Sequence, residues 1–311
     1  MSAPVLLPAV QEYLGLRRSF GYILGSHDRP LADFARYLDR IGADTVTVEA
    51  ARAWAVQPGM TPLRHYQRLA IVRGFASYLH ALDPRNEIPP KDLLSEGRRR
   101  VPPHIYSDEE IAALMRASRL LHPACRAATI ETAIGLLAVT GMRSGELVRL
   151  QRADVDLHAG RLRIIATKFK KSRELALHPT AVEVLEAYGH ERDRIWRRPV
   201  GPAFFLSSRG RPLSQGSLEH SFAQLVDQVG LAPPPGSRAR RPRLHDLRHS
   251  LAVATLLGWH RAGLDVQALL PVLSAQLGHA DPASTYWYLT GTLELLSVTS
   301  ERVRAAREDR P

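Results

Sequence analysis

The stretch Leu277–Thr292 reads LGHADPASTYWYLTGT and sets Tyr288 nine residues beyond His279. Gly278 and Pro282 interrupt any continuous helix across this interval, because proline lacks the backbone N–H and its ring clashes with the preceding turn. Asp281 followed by Pro282 has the form of an N-cap and a first-turn proline, which predicts a fresh helix presenting Tyr288 in its second turn. Tyr286 and Trp287 compete for the same role. Residues two apart diverge by about 200° around a helix, so Tyr286 and Tyr288 cannot both face one site. Spacing alone does not choose between them, and an isolated tyrosine is ordinarily a core or rim aromatic.

Three upstream segments give that tyrosine a context. TGMRSGEL (140–147) carries Arg143 and Glu146, ATKFKKSREL (166–175) carries Lys168, and LHDLRHS (244–250) carries His245 and Arg248. The pattern predicts a buried helix over 127–138, a break at Thr140-Gly141, and a second helix from Ser144, leaving Arg143 at the break. Residues 161–167 and 174–177 alternate and are rich in aliphatics, which predicts a hairpin with its tip at 169–172 and Lys168 at the tip's edge. His245 and Arg248 are three apart, so a helix places imidazole and guanidinium on one face, where both can meet one anion. Taken alone, that pair is explained as well by a structural ion pair between Arg248 and Asp246 or Glu146.

Composition narrows the partner. The chain has 311 residues, 45% hydrophobic and 23% charged, which fits a soluble globular protein of one or two domains. Its formal net charge of +11 points to a polyanion, since each Lys or Arg at a phosphate releases condensed counterions. Nucleic acid ranks first and an anionic membrane surface second. The first residues, MSAPVLLPAV, lack a basic segment followed by a cleavable apolar one, and no run reaches the roughly 18 apolar residues of a span. Neither export nor membrane insertion is expected. Cys125 is the single cysteine, which suits a reducing cytoplasm, and no Cys and His cluster has zinc spacing.

Apolar residues recur at three- and four-residue steps over 31–41, 48–56 and 63–82, so the first 95 residues or so read as all-helical. The stretch DPRNEIPPKDLLSEGRRRVPPHIYS (83–107) then loses all period and is rich in Pro and Arg. The expected division is a helical domain over 1–97, a linker over 98–104 and a second domain over 105–311. Ser107 with Glu110 forms a capping box that opens a helix through Ser118. Basic density recurs at RDRIWRRP (192–199) and SRARRPRLHDLR (237–248), with few acids to offset it, and either could follow a phosphate backbone. His178, His190, His220, His249 and His260 read as capping, surface or core residues, because none has a partner at metal spacing. Beyond Tyr288, the apolar residues Leu289, Leu293, Leu296 and Val303 are spaced for a short amphipathic helix.

Together, in order and spacing, these segments resemble the tyrosine recombinase or phage-integrase family over nearly the whole chain. The family pattern places an arginine in TGxRxxEL, a lysine on a β-hairpin, an HxxR pair, an LGH histidine and a tyrosine nine residues later. By that resemblance the site residues are Arg143, Lys168, His245, Arg248, His279 and Tyr288, with Glu146 in a supporting acidic position. The register selects Tyr288 over Tyr286, and selects Lys168 over Lys170 and Lys171 because the family lysine precedes the hairpin arginine, here Arg173, by five residues. The implied fold is mainly α with a small antiparallel β-sheet: a SAM-like core DNA-binding domain and a catalytic domain that form a C-shaped clamp on duplex DNA.

The residue types suit that chemistry. Attack on a phosphodiester gathers negative charge on the non-bridging oxygens, which two forked guanidinium groups can neutralise with directional hydrogen bonds. The tyrosine hydroxyl must lose a proton and the departing 5′ oxygen must gain one, so Lys168 is assigned as general acid, His245 as base and His279 as a phosphate hydrogen-bond donor. A 3′-phosphotyrosyl bond stores the energy of the broken phosphodiester, so no ATP, metal or other cofactor is expected.

The resemblance further implies a site-specific recombinase or integrase of a mobile element, cytoplasmic and associated with the nucleoid. It would act as a homo-tetramer on double-stranded DNA, or with a related recombinase, through exchange of the C-terminal helix. The alternatives are a type IB topoisomerase-like or resolvase activity, and a catalytically silent DNA-binding relative. Two departures stand out. Arg248 and His279 are 31 positions apart where the family interval is near 23, with the excess around 258–261 and 270–273, read as a longer helix pair. Leu251 replaces a common aromatic at what reads as a packing position.

Overall fold

The computed structural model of the chain describes residues 6–22, 24–25, 27–95, 103–165, 172–197, 201–234, 236–237 and 239–278. Two units divide it, one of residues up to Arg100 and one from Val101 onward.

The first unit is four helices: α1 (Leu7–Ser19), α2 (Asp28–Arg40), α3 (Val48–Ala55) and α4 (Pro62–Leu82). Thr47 and Thr61 start α3 and α4 by accepting hydrogen bonds from the backbone N–H groups of Ala50 and Arg64, and Pro62 occupies the first helical turn, where its missing N–H costs nothing. Leu14, Leu31, Phe34, Leu38, Trp54, Leu69, Val72 and Phe75 fill the core. Trp54 meets the Phe34 ring edge-on and donates from Nε1 to Asp33 at 2.9 Å, so its one polar atom is satisfied. The predicted helices over 31–41, 48–56 and 63–82 correspond to α2, α3 and α4. Helix α1 was not among them, because only Val10, Tyr13 and Leu14 turn inward and Pro8 and Gly15 dilute the pattern.

The second unit begins with the predicted capping box. Ser107 Oγ accepts from the Glu110 N–H and Glu110 accepts from the Ser107 N–H, which opens α5 (Asp108–Ser118). Helix α6 (Ala124–Thr140) follows and is buried on several sides, with Thr129, Ile130, Ala133, Ile134, Leu136 and Leu137 all inside. It stops at Gly141, whose φ of +64° is a left-handed conformation that favours glycine. The single turn α7 (Ser144–Leu147) leads through a 3₁₀ turn to β1 (Val155–Asp156), β2 (Arg161–Ile164) and β3 (Arg173–Ala176). These pair antiparallel in the order β1-β2-β3, with Leu162 opposite Leu175 and Ile164 opposite Arg173. Strand β3 starts one residue earlier than predicted, and residues 166–171, which include Lys168 and most of the predicted tip, lie outside the described residues. Strand β1 escaped the sequence reading because two residues are too few to show a period.

Helices α8 (Pro179–Ile195), α9 (Gln215–Gln228), α10 (Asp246–Arg261) and α11 (Val266–Leu277) complete the unit. Its main core joins α6 to Leu162, Ile164, Leu175, Tyr188, Phe204, Phe205, Phe222 and Leu247. A second cluster packs Ala252, Val253, Leu256 and Leu257 of α10 against Leu270, Leu273 and Leu277 of α11. The residues around 258–261 and 270–273 lie in the last turn of α10 and the middle of α11. No helix among the described residues is long and apolar enough to cross a membrane.

The predicted basic stretches are more occupied than their composition implies. Arg192 is buried, donates to Phe204 O at 2.8 Å and pairs with Asp193, while Arg194 pairs with Glu191. Arg241 pairs with Asp227 and Arg243 with Asp246. Acids distant in sequence, or one and three residues away, take these guanidinium groups.

Candidate active site

Gly141 sets the geometry. A Cβ there would lie 2.8 Å from Leu277 Cδ2 and 2.9 Å from Leu251 Cδ2, so only a glycine lets α10 and α11 close over the end of α6. Leu251 therefore is a packing residue, at the position where the family pattern commonly has an aromatic. The Gly141 carbonyl accepts from Arg248 Nη1 at 2.7 Å, which fixes a guanidinium that is almost wholly buried. Two residues on, Arg143 is the N-cap of α7, and its backbone N–H donates to Glu146 Oε2 at 2.9 Å. Its side chain is half exposed. Nη1 donates to Glu146 Oε1 at 3.0 Å and Nη2 to the Gly278 carbonyl at 3.0 Å.

The alternative role for Arg248, an ion pair with Asp246 or Glu146, meets two carboxylates already engaged. Asp246 is buried and accepts from both the backbone N–H and the guanidinium of Arg243, at 2.8 and 2.9 Å. Glu146 is held by Arg143 and by Arg173, whose Nη1 and Nη2 donate at 3.1 and 2.8 Å. Burial works against the Glu146 charge, but the hydrogen bonds from Arg173 and from the Arg143 N–H, with both guanidinium charges, hold its carboxyl down at about 2. It is a fixed anion between two cations.

His245 is the N-cap residue of α10, immediately before the helix that carries Arg248. Burial first, and then the charges of Arg248, Arg243 and Arg143 against that of Asp246, hold its imidazole down at about 4. Its ring meets His249 edge-on with centroids 4.9 Å apart, and burial with the His245 neighbour holds His249 at about 4 as well. Both rings are uncharged at neutral pH, so His245 can accept a proton there. The turn itself is clasped from behind: Tyr106 N–H donates to Ser250 Oγ at 2.8 Å, and Ser250 Oγ donates to Asp246 O at 2.9 Å.

These histidines make stability acid-sensitive. The unfolded chain binds protons near the ordinary value of 6.5, so their stabilising contribution is complete above that pH and is lost as pH falls from there toward 4. Unfolding free energies from urea titrations are expected to drop between about pH 7.5 and about pH 5, by on the order of 1 kcal/mol per ring after solvent screening. His249→Phe should shrink that drop; an unchanged drop would show that other groups cause it.

The structure thus brings Arg143, Glu146, His245 and Arg248 into one cluster. Lys168, His279, Tyr288, Tyr286 and the Asp281-Pro282 helix start lie outside the described residues. Two contributors were not on the predicted list: Arg173, and the carbonyls at the end of α11. The signal for Arg173 was present, since Arg173 and Leu175 alternate onto the inward face of β3, and an arginine pointing inward needs a buried acid.

Residues 105–293 match the family model described as the phage integrase family. The chain belongs to the phage integrase family. The family is that of the tyrosine recombinases, and relatives cover up to 97% of the chain. A protein of Sinorhizobium fredii, y4rB, named as an integrase/recombinase, is 40% identical over 309 residues, covering 97% of this chain and 98% of the relative. Two solved structures share the fold. The XerH site-specific recombinase bound to a palindromic difH substrate, in a post-cleavage complex, superposes with a TM-score of 0.65 at 20% identity over 89% of this chain and 78% of that one. The Tn1549 transposon integrase in complex with transposon right-end DNA gives 0.63 at 16% identity, over 95% and 99%.

Proposed function

We propose that this chain is a site-specific recombinase that breaks and rejoins double-stranded DNA through a 3′-phosphotyrosyl bond to Tyr288, in the service of a mobile element. The observation that carries this is the pairing of Arg143 and Arg248 around an uncharged His245, with Glu146 fixing the first arginine. Two guanidinium groups anchored from behind can meet the charge that gathers on a pentavalent phosphorus without reorganising. His245 takes the Tyr288 proton, Lys168 protonates the departing 5′ oxygen and His279 donates to the phosphate. An anionic phosphate between the arginines also offsets the charges that suppress His245, so its basicity rises once DNA is bound.

The phosphotyrosyl ester keeps the energy of the broken bond, and a second strand's 5′ hydroxyl can reverse it without cofactor or metal. Residues 1–97 serve as the core DNA-binding domain, 98–104 as the linker and 105–311 as the catalytic domain, together clamping the duplex. Exchanging strands between two sites needs four active protomers, which the helix after Tyr288 would join into a tetramer on DNA. The protein would work in the cytoplasm at the nucleoid.

Selection of randomised duplexes by binding, followed by sequencing, identifies the site. A supercoiled plasmid carrying two copies is then incubated with the protein. Recombinant circles that require both copies are expected; relaxation independent of the site, with no recombinant circle, would replace this reading with a topoisomerase-like one.

A further inference from the structure

Arg173 stands at the meeting point of three segments. It opens β3, opposite Ile164 at the loop end of the hairpin, with its side chain largely buried. Nη1 and Nη2 hold both oxygens of Glu146 at 3.1 and 2.8 Å, and Nε donates to the Gln276 carbonyl in the last turn of α11 at 2.9 Å. The fit is close: a Cβ on Gly278 would lie 2.5 Å from Nη1 and 2.8 Å from Cζ, so Gly278, at φ +66°, leaves the room this guanidinium fills. Arg143 completes the arrangement by binding the same Glu146 and the Gly278 carbonyl.

We infer that Arg173 is a positioning residue for cleavage: through Glu146 it sets the direction of the Arg143 guanidinium, and through Gln276 it holds the α11 exit from which the chain runs to His279. The inference rests on the proposed recombinase reading, and it concerns a residue whose three guanidinium nitrogens all donate within the protein. A planar fork is needed, because one group must span two carboxylate oxygens and a carbonyl at once; a lysine ammonium can satisfy only part of that set. With the fork gone, Glu146 keeps its bonds from Arg143 but loses its anchor to β3, and a misplacement of even 1 Å at a phosphate site slows chemistry by about 100-fold.

The test measures covalent adduct formation on a nicked duplex of the selected site, comparing the native protein with Arg173→Met, Arg173→Lys and Tyr288→Phe. Thermal unfolding and DNA affinity are measured in parallel. Folded Arg173→Met is expected to bind the duplex as the native protein does and to form adduct about 100-fold more slowly. Arg173→Lys should lie between. The deficit of both should widen as pH falls from about 8 to about 5.5, because Glu146 without its fork regains a proton that Arg173 otherwise excludes. If Arg173→Met does not fold, Arg173→Lys is read by the same criteria. A folded variant that cleaves within about threefold of the native rate at every pH, a difference below 1 kcal/mol, overturns the inference. So does a deficit that is independent of pH and matched by lost affinity. Absence of adduct from the native protein itself would instead overturn the recombinase reading.

Discussion

Tyr288→Phe is expected to abolish the covalent protein–DNA adduct on a nicked substrate while leaving affinity for the duplex within about twofold, since one hydroxyl contributes little beside many phosphate contacts. The loss should be complete, because phenylalanine offers no oxygen to phosphorus, and water attacking in its place would cut the strand without joining it to the protein. Tyr286→Phe should leave adduct formation near the native level. The two residues are two apart, so a helix carrying both turns them about 200° from each other and only one can serve. Denaturing gel electrophoresis of end-labelled DNA separates the outcomes, and adduct that survives Tyr288→Phe would remove this tyrosine from the chemistry.

Arg248→Lys carries the second large effect. The native guanidinium is buried, with Nη1 donating to the Gly141 carbonyl at 2.7 Å, so its orientation is set by the backbone before DNA arrives. Lysine keeps the charge but loses the planar fork. Removal of one preorganised donor from an oxyanion site costs about 100- to 1,000-fold in rate, roughly 3–4 kcal/mol, and cleavage should fall by that order. Affinity should fall far less, since this is a single phosphate contact among many. Single-turnover rates at saturating protein separate the two quantities. Equal losses in rate and affinity would mean that Arg248 binds the ground state only.

How much of this was visible in the chain depends on how far each partner lies along it. The capping box at Ser107 and Glu110, the break at Gly141 and the start of α7 were legible because each rests on residues within four positions. The helical state of residues 258–261 and 270–273 was legible from apolar spacing. The clamp of Arg173 on Glu146 was not, because 27 positions separate the two and β3 is only four residues long. The fate of the basic stretches was hidden for the same reason: Asp227 lies 14 positions before Arg241 in the chain yet pairs with it. Carbonyls leave no mark in a sequence, so the hydrogen bonds from Arg143 and Arg173 to the end of α11 emerged only from the fold.

The most direct test of Tyr288 as the nucleophile is to digest the purified adduct with nuclease and protease and locate the nucleotide remnant by mass spectrometry. One modified peptide is expected, with a 3′-linked nucleotide on Tyr288. A remnant on Tyr286 or on any other residue would contradict it.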